Sequence, residues 1–175
     1  EADQCLEHLG GLDESLRISE WKIAYMMGQA YMAKGEEEKG LLSWFEALQI
    51  NEHPYLLTEM ARYFESKSFY QMAAQCYQRL YSLNDGRYQL HAWFGLAWNL
   101  GLNHEKQKSK MIFMKAMSLY PSAMELQYAY IWMLYYWQEK KSAEGKLARL
   151  KQLASDNSPM LQALEQIKAG RVKES

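Results

Sequence analysis

Few side chains in this 175-residue sequence are of the kinds that usually do chemistry, and those few are scattered: two cysteines, four histidines and four aspartates. Cys5-x-x-His8 places two metal-ligating types one helical turn apart. A zinc site needs three or four ligands, and no complementary pair lies within reach in the sequence. Nucleophilic catalysis by Cys5 or Cys76 lacks a neighbouring base to make the thiolate. Cys76, beside Tyr77, reads as a half-buried structural thiol, and nothing in the cysteine spacing calls for a disulfide. Asp3, Asp13, Asp85 and Asp156 all fall near ends or turns, where aspartate caps helices. No helical zinc-protease motif, phosphate loop, nucleophile elbow or dinucleotide fingerprint occurs. The expectation is a protein without catalytic residues, metal or cofactor, hence a binding protein rather than an enzyme.

The residues in excess are aromatic. They make up 14% of the chain, with 6 Trp and 13 Tyr. Twenty basic residues balance 21 acidic ones, which argues against a nucleic-acid partner, because such proteins carry a basic face. The longest uncharged apolar run, residues 128–137, is too short for a bilayer-spanning helix of about 20 residues. The sequence starts with Glu, so a processed chain or a piece excised from a longer or anchored protein is expected, with its location left open.

The elements that must place these aromatics are helices. The chain has one Val, one Thr and six Ile against 23 Leu, 18 Ala and 11 Met. Strands favour β-branched residues, whereas Leu, Ala and Met are good helix formers, so the predicted fold class is all-α. Pro54, Pro121 and Pro159 mark boundaries, since proline is excluded from helix interiors. Between them a pattern recurs. Met27-Gly28-x-x-Tyr31 is followed by Gly40-x-x-x-Trp44-x-x-Ala47. Met60-Ala61-x-x-Phe64 is followed by Ala73-x-x-x-Tyr77-x-x-Leu80. Leu96-Ala97-x-x-Leu100 is followed by Ser109-x-x-x-Phe113-x-x-Ala116. A small residue in one helix lets a second approach, and a large residue of the second fills the notch beside it.

This pattern resembles the tetratricopeptide repeat, a helix-turn-helix unit of about 34 residues. The resemblance implies a right-handed α-solenoid in a single domain, 1–175. Its parts are a partial preceding repeat or N-terminal cap at 1–18, repeats at 21–53, 54–87 and 90–122, a degenerate repeat at 123–156 and a capping helix at 159–171. In the fourth unit Ala143-x-x-x-Leu147-x-x-Leu150 fits, but Ile131 stands where the small residue belongs, which predicts altered packing or a shifted register. Gly35 and Gly101 are expected to end first helices at positive φ. Glu36, Glu37 and Glu38 suit the positive end of a helix, and Lys106, Lys108 and Lys110 are expected on a solvated face without forming one stripe.

In that family one stripe of each first helix lines a concave groove. Here it holds Tyr25 and Gln29, Thr58 and Arg62, His91, Phe94 and Trp98, then Tyr128, Trp132 and Tyr135. The family branch that clamps C-terminal carboxylates uses Lys and Asn at these positions, and the clamp is missing here. The resemblance therefore implies a scaffold or chaperone that binds an extended or helical protein or peptide segment in an aromatic groove. Two alternatives stay open: a module of bacterial polysaccharide-export machinery contacting glycan or assembly partners, or a segment that self-associates into a homo-oligomer. The same rings can also be buried between neighbouring first helices.

Overall fold

The structure is a computed structural model that describes residues 2–4, 6, 21–153 and 159–168. Its described residues form helices joined by short turns: α1 (Trp21–Ala33), α2 (Glu37–Ile50), α3 (Pro54–Ser66), α4 (Tyr70–Ser82), α5 (Gly86–Leu102), α6 (Lys106–Leu119), α7 (Met124–Tyr136), α8 (Lys140–Leu153) and α9 (Pro159–Lys168). The chain is all-α, without a strand among the described residues. It divides into two compact units, residues 1–88 and 89–175. Residues 2–4 and 6 are helical, and Asp3 pairs with Lys34 at 2.5 Å. Cys5, His8, Asp13 and Asp156 lie outside the described residues.

In the first unit α1 and α2 interlock through two glycines. A Cβ on Gly28 would stand 2.3 Å from Trp44 Cδ1, and one on Gly40 would stand 2.8 Å from Met32 Cγ. Trp44 is thereby almost wholly buried, 4% exposed. Its ring also meets Tyr63 of α3 edge-on at 6.0 Å, so one side chain joins two helix pairs. Glu37 does the same at the surface: its carboxylate accepts from Lys67 Nζ at 2.5 Å and from the Tyr63 hydroxyl at 2.9 Å. Between α2 and α3, Pro54 occupies the first helical turn and His53 Nδ1 accepts from the Tyr55 amide at 3.2 Å. Asp85 Oδ1 likewise accepts from the Arg87 amide at 3.0 Å at the start of α5. Arg87 holds the Asp85 carboxyl below its usual range.

In the second unit Ser109 of α6 donates to the Ala97 carbonyl of α5 at 2.6 Å, a buried tie between the paired helices. Phe113 of α6 packs on Tyr130 of α7, ring centroids 5.3 Å apart. The end of the stack is covered by α9, whose Leu161 and Leu164 are buried against the rest of the unit. Lys151 and Glu165 close its edge at 2.5 Å.

Every turn inside a helix pair is built alike. Gly35, Ser68, His104 and Gln138 have φ between 59° and 80°. In each turn that residue's amide bonds three residues back and the next amide bonds five back, as in Glu36 to Tyr31 O and Glu139 to Leu134 O. This is the Schellman arrangement, which satisfies carbonyls a helix end would leave open. It corrects the expectation for Gly101. That glycine lies inside α5, and His104 takes the left-handed position instead. Gly101 is needed for close approach: a Cβ there would stand 2.6 Å from Met133 Cε and 3.0 Å from Ser109 Oγ.

Three of these turns carry a side chain where glycine is cheaper. Ser68→Gly and Gln138→Gly should each raise stability by about 0.5–1 kcal/mol, because the left-handed penalty exceeds the extra entropy glycine loses. Thermal melts check this; an unchanged or lowered midpoint in both would mean that the side chains themselves hold the turns.

The shared turn also settles the register of the fourth pair. Gly28, Ala61, Ala97 and Ile131 each stand seven residues before the left-handed residue, so Ile131 occupies the notch position without a shift. Sixteen residues after each notch stand Trp44, Tyr77, Phe113 and Leu147, all at most 4% exposed. As the notch residue grows from Gly through Ala to Ile, the filler shrinks from Trp through Tyr and Phe to Leu. Close packing needs a filled volume, and the sequence divides it differently in each repeat.

Candidate functional site

The second unit carries a chain of four rings. Phe94 and Trp98 come from α5, Trp132 and Tyr136 from α7, each pair four residues apart and so on one helix face. Phe94 and Trp98 stack with centroids 6.0 Å apart and planes 10° apart. Trp132 and Tyr136 repeat this at 5.5 Å and 11°. Trp98 and Trp132 join the two stacks at 4.7 Å. All four keep part of their surface in solvent, Tyr136 most of all at 37%. Trp98 and Trp132 each stand six residues before the left-handed turn residue, one past the notch. The rotation of about 100° per residue turns them out of the core of their own helix pair.

The other groove residues expected from the sequence are placed differently. Tyr128 and Tyr135 are buried, at 8% and 6% exposure. The Tyr135 hydroxyl is enclosed without a hydrogen-bond partner among the described residues, and burial pushes its phenol pKa up. His91 is half-buried. In the first unit, Gln29 Nε2 donates to the Tyr25 hydroxyl at 2.6 Å, and Tyr55 meets Tyr25 edge-on at 5.7 Å. Burial, then Tyr55, holds the Tyr25 phenol above its ordinary value. Thr58 is buried, its hydroxyl donating to Pro54 O at 3.0 Å. Arg62 is exposed and paired with Glu59 at 3.2 Å. The structure thus brings Phe94, Trp98 and Trp132 into one run and adds Tyr136. The signal for Tyr136 was its spacing of four from Trp132; Tyr135, at three, turns inward.

The lysines at the start of α6 also depart from expectation. Lys106 and Lys110 share a face, four residues apart, and both pair with Glu139, Lys110 at 2.7 Å. Both ammonium groups lie within 6 Å of the Trp137 ring, whose Nε1 donates to Gly101 O at 3.3 Å. Lys106 first, then Lys110, holds the Glu139 carboxyl below its usual range. Lys108 alone turns away, to Glu105 at 2.5 Å. A clasp between neighbouring helix pairs thus takes the place of a solvated face.

The described residues hold few nucleophile or metal-ligand candidates. They include no group of three metal-ligating side chains. Cys76 is buried, and desolvation pushes its thiol up to about 11, so the reactive thiolate is scarce at neutral pH. No helix among the described residues is long and apolar enough to cross a membrane.

Comparison with known proteins agrees with this architecture. No family model matches the sequence, and no curated protein matches it. A solved structure from a functional characterisation of PilF of Pseudomonas aeruginosa superposes with a TM-score of 0.56 at 13% identity. The match covers 87% of this chain and 73% of that one. The shared fold is a tetratricopeptide-like helical repeat.

Proposed function

We propose that the chain is a non-catalytic tetratricopeptide-repeat module that binds a segment of another protein across the ring run Phe94–Trp98–Trp132–Tyr136. Its units are repeats at 21–53, 54–87, 90–122 and 123–156, with the last helix as cap. The observation that carries the reading is the run itself. Four contiguous rings are ordered by mutual stacking yet left partly in solvent, although burying aromatic surface is among the largest gains available to a folding chain. Rings of this kind give a partner large contact area at low entropic cost, since each is held by its neighbours before binding. The polar tip of Tyr136 and the indole N–H groups supply hydrogen bonds for a peptide backbone.

A photo-crosslinking amino acid at Tyr136 tests the reading directly. It should capture a discrete partner from the native source, and Trp98→Ala in the same chain should abolish that capture. The same crosslinker at Met111, an exposed residue of α6 outside the ring run, should capture nothing in common. Capture that survives Trp98→Ala, or that is equal from both positions, would place the working surface elsewhere.

A further inference from the structure

A second feature without an assigned role lies away from the ring run. Met117 of α6, Tyr130 and Ile131 of α7, and Lys146, Arg149 and Leu150 of α8 line a cavity of about 190 Å³ in the second unit. Tyr130, Ile131 and Leu150 are buried and make an apolar floor, with Met117 half-buried at its side. A dry cavity of about 150 Å³ holds one benzene, whereas cofactor and drug-sized sites start near 300 Å³. The space therefore suits one large apolar side chain and is too small for a nucleotide or haem.

Its rim is cationic. Lys146 and Arg149 stand three residues apart on α8 and are both exposed. Lys146 Nζ lies 5.1 Å from the centre of the Tyr130 ring, which holds the ammonium over the mouth. Neither cation pairs with a carboxylate among the described residues, whereas Lys151 of the same helix pairs with Glu165. The whole helix leans the same way, with five basic residues and Glu144 as its one acid.

We infer that this cavity is a second docking site, which takes one large apolar side chain of a protein segment whose flanking residues are Asp or Glu. The apolar side chain displaces water from Tyr130, Ile131 and Leu150, and the flanking carboxylates accept from Lys146 and Arg149. Two separated cations fit a residue with an acid on either side better than a single anion. The site shares no residue with the ring run, so it stands or falls apart from the function proposed above.

Met117 supplies the reporter. The protein, labelled with ¹³C at its methionine methyls, is titrated with the N-acetylated, C-amidated pentapeptide Gly-Glu-Phe-Glu-Gly. The Met117 methyl signal should shift and saturate. Replacing both glutamates of the peptide by glutamine, or its phenylalanine by alanine, should weaken binding at least fivefold. So should the double variant Lys146→Gln/Arg149→Gln, whose sites are exposed and whose fold is therefore spared, while Lys141→Gln on the same helix should change it less than twofold. An unmoved Met117 signal, equal binding of the glutamine peptide, or full binding by the double variant would each overturn the proposal.

Discussion

Gly28→Ile should cost the first helix pair roughly 3 kcal/mol or more of stability, at the upper end of what overpacking does to a core. The first atom added at this position would already stand 2.3 Å from Trp44 Cδ1, 2.6 Å from Nε1 and 3.0 Å from the Gly40 carbonyl. Better helix propensity returns under about 1 kcal/mol, so the clash decides the sign. The indole has nowhere to go: Tyr25 stacks on it at 6.5 Å and Tyr63 meets it edge-on at 6.0 Å. The fourth helix pair supplies the rescue, because it carries Ile131 and Leu147 at the same two positions, both 2% exposed. Gly28→Ile/Trp44→Leu should therefore recover much of what Gly28→Ile loses, although Trp44→Leu alone leaves a cavity and destabilises. Chemical denaturation of the four species closes the cycle, and neighbouring sites of this kind couple by about 0.5–3 kcal/mol. Additive losses would mean that the two positions do not share one volume.

Trp98→Ala should weaken partner binding about 30-fold or more, roughly 2 kcal/mol, with the fold retained. Trp98 is the joint of the ring run: it stacks on Phe94 within α5 and meets Trp132 of α7 at 4.7 Å. Its removal deletes contact area and also frees the two rings it orders. Each lost ring pair costs about 0.5–1.5 kcal/mol, so some stability goes too. Binding must therefore be measured at a temperature where the variant is fully folded, with Trp98→Phe as the conservative comparison. A stability loss of roughly 3–5 kcal/mol with unchanged affinity per folded molecule would mark Trp98 as core. Unchanged stability and affinity would remove the ring run from the function altogether.

The glycine notch shows how the sequence misleads when one side of a packed pair is read alone. Ile131 breaks the small-residue pattern, which points to a shifted register. Paired with Leu147 it is a compensated member of the same series, and the left-handed Gln138 seven residues later keeps the register of the other three pairs. Gly101 misleads in the opposite way. Glycine near a helix end reads as a terminator, yet here it admits Met133 and Ser109, and His104 accepts the left-handed strain instead.

What the sequence determined by itself is what depends on one helix at a time. A shortage of β-branched residues excluded sheets, and prolines and small-large spacings marked the helix pairs. These are local or compositional facts, legible because a helix repeats every 3.6 residues whatever surrounds it. Which aromatics face solvent is another kind of fact. Tyr135 and Tyr136 are adjacent and chemically identical, yet one is 6% exposed and the other 37%. Lys106 and Lys110 carry the same charge as Lys108, but only they meet Glu139. These differences arise where one helix pair meets the next, through residues far apart in sequence such as Lys110 with Glu139 and Trp98 with Trp132, and no spacing within a single helix encodes them. Tertiary packing alone decided which rings were left partly in solvent.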